Sequence, residues 1–188
     1  MSLNIIKSNL YDVNIMPEMI ERFWTVSLFI ILLSISFEDL KSMNISAIKI
    51  KAGYIIGIIF NLTFVYLNDI NIYKPIIINN LFSSLLFFII MKLIALISYS
   101  IFQKKCLGDG DIKLTSLSAL WIGFEGISLA ISIAFVSAAI FSLIAITIRK
   151  LRSFQPFPFA PFISTSVIMV WSLGTNFWIN RWFELRGL

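Results

Sequence analysis

Long apolar runs alternate with short polar connections along most of the chain. Six such runs stand out, at residues 23–37, 53–67 and 76–101, a short fourth run ending at 125–126, then 127–148 and a last run to about 173. Most of them approach the length that an α-helix needs to cross a bilayer, and the third exceeds it. The pattern predicts an all-α, polytopic membrane protein with about six transmembrane helices.

The ends of the chain are more polar than its centre. We expect a polar N-terminal leader at residues 1–22, a six-helix membrane domain at 23–174 and a short C-terminal tail at 175–188. The leader contains Asp12, Glu18 and Glu21, whereas a cleavable signal peptide begins with a basic segment. The first apolar run is therefore expected to be retained.

Composition supports the membrane class and limits the chemistry. Of the 188 residues, 59% are hydrophobic and the mean hydropathy is +0.91, against roughly 45 to 50% apolar residues in soluble domains. Cys106 is the single cysteine and histidine is absent, so we expect no internal disulfide, no zinc site and no cofactor. Carboxylates, hydroxyls, amides or lysines must carry any catalysis.

The net charge of +5 comes from basic residues between the apolar runs, so it predicts no nucleic-acid partner and instead indicates membrane orientation. An N-terminus outside places eight basic residues in cytoplasmic loops and five outside. The cytoplasmic residues would be Lys41, Lys49, Lys51, Lys104, Lys105, Arg149, Lys150 and Arg152, and the external ones Lys7, Arg22, Lys74, Arg181 and Arg186.

Two aspartates are predicted at similar depths on the cytoplasmic side. Counting back along the helices places Asp111 on the order of 9 Å and Asp39 roughly 5 Å inside that face. An ionisable group at membrane depth is costly and indicates function. Two neighbouring carboxyls share a proton and can activate a water, as in aspartic proteases. Helix ends would make Asp111 the readier base and leave the proton more often on Asp39.

Structural explanations compete with this one. Asp111 could be the N-cap of the fourth helix, and Asp39 a solvated carboxylate at a helix end. Glu38 and Asp109 either face water or contact basic residues of a substrate, and Lys41 and Lys113 either mark the cytoplasmic side or tune the aspartates beside them. An ion-coupled carrier and an inactive assembly subunit remain alternative functions.

The sequence Gly108-Asp109-Gly110-Asp111-Ile112-Lys113-Leu114 resembles the Gly-x-Gly-Asp-x-Lys-Leu signature of the type IV prepilin peptidase family. Asp39-Leu40-Lys41 resembles the segment with that family's first catalytic aspartate, and residues 158–162 resemble the block that opens its last helix. Ser46 and Ala160 stand where many members have proline and glycine. The paired Cys-x-x-Cys motifs of the longer, bifunctional members are absent, which favours the short, stand-alone form.

This resemblance implies an aspartic endopeptidase of the cytoplasmic membrane that removes the short basic leader of prepilins or pseudopilins at the cytoplasmic face. It assigns catalysis to Asp39 and Asp111, with Gly108, Gly110, Lys41 and Lys113 as supporting residues. Glu38 and Asp109 become candidate contacts for the leader, and no metal or cofactor is implied.

Overall fold

The computed structural model describes residues 18–67, 70–104, 107–149, 157–174 and 177–178. The described part is helical and contains no strand. Its five main helices are α1 (Glu18–Ser42), α2 (Ala47–Leu67), α3 (Ile70–Phe102), α4 (Asp109–Thr147) and α5 (Ala160–Leu173). The first four are long and apolar enough to cross a membrane, and α5 is a shorter apolar helix. The predicted all-α, multi-pass membrane fold is confirmed.

Helix α4 is interrupted at Gly123, whose φ of 68° and ψ of −175° are not helical. A straight helix of its 39 residues would be roughly 58 Å long. Both halves nevertheless lie beside the start of α5. Asp111 in the first half interacts with Asp39, which accepts a hydrogen bond from Ala160. The Phe141 ring in the second half lies 5.4 Å from the ring of Phe162 in the first turn of α5. The halves therefore run back along each other and correspond to the predicted fourth and fifth spans.

Polar side chains from α2 and α3 accommodate this break. Asn61 Nδ2 donates to the carbonyl oxygen of Leu120, one turn before Gly123, at 3.1 Å, and Asn80 Nδ2 donates to Asn61 Oδ1 at 2.9 Å. A Cβ on Gly123 would lie 2.9 Å from Asn80 Oδ1. Backbone that departs from a helix at membrane depth requires such internal partners, because lipid offers none.

An aromatic cluster at the other end of the bundle joins four helices. The rings of Phe60 and Trp121 stack with centroids 4.7 Å apart, and Trp24 and Trp171 pack edge-on against both. Many leucine, isoleucine and phenylalanine side chains are exposed on the outer faces of α1 to α4, as expected for surfaces in contact with lipid. The cluster connects α1, α2, α4 and α5 away from the aspartates.

Several boundaries differ from the predicted ones. Helix α1 begins at Glu18, so the last five residues of the predicted leader are helical, and α4 breaks at Gly123 instead of at Glu125-Gly126. Helix α5 begins at Ala160 and ends at Leu173, the predicted end of the last span. Residues 1–17, Cys106, Pro156 and the tail from residue 179 lie outside the described residues.

Candidate active site

Asp39 is in the last turn of α1 and is only 6% exposed. Its Oδ2 accepts a hydrogen bond from the backbone N–H of Ala160 at 3.1 Å, and the N–H of Phe159 also bonds to the carboxyl. These donors belong to the start of α5, where Pro161 occupies the first turn. The Asp39 carboxyl therefore lies against the N-terminus of α5, where free N–H groups and the helix dipole favour a carboxylate.

Asp111 is the third residue of α4, and Gly108 is the N-cap. The interpretation of Asp111 as the N-cap residue is therefore wrong. Its carboxyl instead turns back over the first turn and accepts a bond from the backbone N–H of Gly108. A Cβ on Gly108 would lie 3.1 Å from Asp111 Oδ2. The other oxygen, Oδ1, is buried and has no hydrogen-bond partner, so one oxygen of this carboxyl is available for water or substrate.

The carboxyls of Asp39 and Asp111 are close enough for their charges to interact. The end of α1 and the start of α4 therefore lie at the same end of the bundle, with their carboxyls within range of each other's charge. The expected division of roles rested on Asp39 lying at a helix C-terminus. Because Asp39 also lies at the N-terminus of α5, helix ends no longer distinguish the two carboxyls.

Gly110 lets the first turn of α4 approach the connection that follows Asp39. A Cβ at this position would lie 2.8 Å from Ile45 Cδ1 and 3.0 Å from Ile45 Cβ. Such distances are too short for two carbon atoms. Gly108 therefore leaves room for the Asp111 carboxyl, and Gly110 leaves room for the segment between α1 and α2.

Glu38 is bound within the chain. Its Oε2 lies 3.2 Å from Lys49 Nζ and accepts the backbone N–H of Ser46 at 3.3 Å. A proline at position 46 would have no N–H to donate. Lys49 Nζ also donates to the carbonyl oxygen of Ser34 at 3.1 Å. These bonds hold the end of α1 against the start of α2, next to Asp39.

The other predicted residues lie around the pair on the surface. Asp109, Lys41 and Lys113 are exposed. Lys41 Nζ stands 4.4 Å from the centre of the Phe37 ring. The structure thus places Asp39, Asp111, Gly108 and Gly110 in one region. Asp109, Lys41 and Lys113 lie at its periphery. Sequence reasoning missed the N–H donors of Phe159 and Ala160; the neighbouring prolines were the available signal, because they indicate a helix start.

One buried and one half-buried carboxyl, carried by two membrane helices near the start of a third, define a polytopic membrane protein with an acidic site. The model of the type IV leader peptidase family matches residues 26–143, and the chain belongs to this family. The matched segment includes Asp39 and Asp111.

Curated relatives are similar over shorter segments. A prepilin leader peptidase/N-methyltransferase of Burkholderia pseudomallei is 32% identical over 73 residues, 39% of this chain and 24% of the relative. Proteins of the same name from Aeromonas salmonicida and Legionella pneumophila are 27% and 30% identical over 82 residues, covering 43% and 42% of this chain and 27% and 29% of theirs. The chain thus matches about a quarter of their length. No solved structure matches the chain significantly.

Proposed function

We propose that this chain is a membrane aspartic endopeptidase that removes the leader of prepilins or pilin-like proteins. The observation that carries the proposal is that two carboxyls from separate helices lie within range of each other's charge, with one oxygen of Asp111 buried and unpartnered. Membership of the leader peptidase family supports the choice of substrate class. Only leader cleavage is proposed, since the chain matches about a quarter of the bifunctional relatives.

In the proposed reaction, Asp39 and Asp111 hold one water between them and share one proton. The ionised carboxyl takes a proton from the water as its oxygen bonds to the carbonyl carbon of the scissile peptide. The protonated carboxyl donates its proton to the carbonyl oxygen. As the C–N bond breaks, the carboxyl that took the water's proton gives it to the departing nitrogen, and a hydroxyl of the tetrahedral intermediate returns a proton to the other carboxyl. A new carboxyl terminus and a new amine form, and the pair again holds one proton.

The pair is proposed to act at the cytoplasmic face. The connections beside it carry Lys41, Lys49, Lys51, Lys104 and Arg149 within the described residues, whereas the opposite end carries Arg22 and Lys74. This asymmetry favours the pair on the cytoplasmic side. Exposed Asp109 is the more accessible candidate contact for a basic leader, because Glu38 would first have to break its ion pair with Lys49.

Co-expression with a candidate prepilin tests the proposal. Leader removal by the wild type should be lost in Asp39→Asn and Asp111→Asn. Glu125→Gln is the matched control, because it removes a carboxylate from α4, the helix that carries Asp111, on the far side of the break at Gly123. Leader removal that persists in either aspartate variant contradicts the carboxyl-pair mechanism. A wild type that cleaves no prepilin would instead favour a carrier or an inactive assembly subunit.

A further inference from the structure

Two buried hydroxyls in the described part of the chain have no hydrogen-bond partner, Ser36 Oγ and Thr115 Oγ1. Their residues are 8% and 0% exposed. Leaving a buried polar group unpaired is costly, and a bound water is a common explanation. Asp111 Oδ1 is also buried without a hydrogen-bond partner. Three buried oxygens in the described part of the chain are therefore unpaired.

Other hydroxyls on these helices use the carbonyl one turn earlier. Ser118 Oγ donates to Leu114 O at 2.9 Å, and Ser27 Oγ donates to Phe23 O at 2.8 Å. Ser36 would use the carbonyl of Leu32, which accepts the hydroxyl of Ser164 from α5 at 3.3 Å. Thr115 also forgoes the local bond. Their hydroxyls are therefore available to a different partner.

Helical register places both hydroxyls beside the carboxyls. Thr115 is four residues after Asp111 and Ser36 is three before Asp39, so each shares a helix face with its aspartate. Helical side chains lean toward the N-terminus, which directs Thr115 back toward Asp111 and directs Asp39 over the turn of Ser36. The charges of the two carboxyls interact, and each hydroxyl lies one turn deeper on the helix face that carries its carboxyl.

We propose that Ser36 and Thr115 hold a buried water that bonds to Asp111 Oδ1 and fixes the orientation of this carboxyl. Three polar partners suffice for a buried water. This water lies one turn deeper in the membrane than the attacking water and is separate from it. An ionised carboxyl has about four acceptor sites, so Asp111 can accept from Gly108, from the held water and from the attacking water. Ser36 and Thr115 are positioning residues, and their effect on cleavage rests on the proposed peptidase function.

The purified full-length protein in lipid nanodiscs, cleaving a prepilin substrate, tests the role of Thr115. Thr115→Val removes the hydroxyl at nearly constant volume and should lower kcat at least about tenfold with KM within about twofold, because a misplaced catalytic group slows the chemical step. Thr115→Ser keeps the hydroxyl and should restore kcat to within about threefold of wild type. Ser118→Ala, which removes a buried hydroxyl bonded within its own helix, should leave kcat unchanged.

Equal losses in Thr115→Val and Thr115→Ser would indicate packing alone and overturn the proposal, as would an unchanged kcat in Thr115→Val. Combining Ser36→Ala with Thr115→Val should cost less than the product of the separate losses, because both variants release the same water. A full product would overturn the shared site.

Thermal unfolding without substrate separates this inference from the peptidase proposal. A hydroxyl bonded to water is satisfied, so Thr115→Val should not raise Tm. A higher Tm would show that the hydroxyl had been buried without a partner and would overturn the water site. If the wild type cleaves no prepilin, the peptidase proposal fails while the Tm comparison still decides whether water is held.

Discussion

Gly110 sets how closely the first turn of α4 approaches Ile45, in the connection that follows Asp39. The nearest atoms belong to Ile45, whose Cβ and Cγ1 would each lie 3.0 Å from an added Cβ. Alanine is ordinarily the better residue in a helix. Here the steric conflict is expected to outweigh that preference, because it involves atoms close to the Ile45 backbone.

Gly110→Ala should therefore lower the free energy of unfolding by about 1 to 3 kcal/mol, the usual cost of overpacking, and reduce leader removal. Chemical denaturation of the purified protein measures the first effect. In a double-variant cycle with Ile45→Ala, which removes Cγ1 and Cδ1, the combined loss should be smaller than the sum. Strictly additive losses would show that Ile45 is not the obstacle.

At individual residues, sequence reasoning singled out the two aspartates because a carboxylate in an apolar run is conspicuous. It did not find the bond from Ala160 to Asp39, because 121 residues separate the partners. The fate of Glu38 was also unforeseen: its ion pair with Lys49 depends on how the start of α2 turns back toward α1. Contacts between distant segments follow from packing, which a local pattern does not contain.

Among the helices, the broken α4 is the element on which the site depends. Its first half presents Asp111, and its second half returns to place Phe135 against Phe159, with ring centres 5.2 Å apart, just before α5. The break thus allows one continuous element to carry Asp111 and to pack against Phe159, whose N–H bonds to Asp39. Asn61 and Asn80 complete the hydrogen bonds around it.

Gly123→Ala should destabilise the protein by about 1 to 3 kcal/mol or more, because non-glycine residues are strained at this φ and ψ and the new Cβ meets Asn80 Oδ1. The midpoint of thermal unfolding in nanodiscs should fall. Thr63→Val is the control, because it removes a hydroxyl bond within α2 only and is expected to change stability by no more than about 0.5 kcal/mol. An unchanged midpoint in Gly123→Ala would contradict the rigid break.

The helices themselves were predictable from apolar length, but the nature of the fourth connection was not. Glu125 and Gly126 suggested a loop by their polarity and flexibility, whereas the turn occurs at Gly123 without leaving a polar connection. A single glycine with a positive φ is sufficient for this reversal of chain direction when side-chain amides of neighbouring helices supply hydrogen bonds at the break. Gly123, Asn61 and Asn80 are all visible in the sequence, but a local pattern does not show that the two amides lie beside the break.

For the whole molecule, orientation in the membrane decides which substrates reach the carboxyl pair. The basic connections cluster at the end that carries Asp39 and Asp111, and the opposite end carries fewer basic residues. The two ends can be distinguished by the accessibility of introduced cysteines, because Cys106 is the single native cysteine.

In a Cys106→Ser background, a membrane-impermeant thiol reagent should label Lys74→Cys in spheroplasts with an intact cytoplasmic membrane. Asn44→Cys should react only after that membrane is permeabilised. Both native side chains are exposed, at opposite ends of the bundle, and the basic connections predict this orientation. Labelling of Asn44→Cys in intact spheroplasts, with protection of Lys74→Cys, would place the pair on the external side and contradict a cytoplasmic peptidase.

The central claim is that Asp39 and Asp111 act as one catalytic unit. The most direct measurement is the single-turnover rate of leader cleavage by the purified wild type, Asp39→Asn, Asp111→Asn and the double variant. Each single variant should lose at least about 1,000-fold, and the double variant should lose little more, because members of one catalytic unit are not additive. Substantial cleavage by either single variant, or a double variant slower by the product of both losses, would contradict the claim.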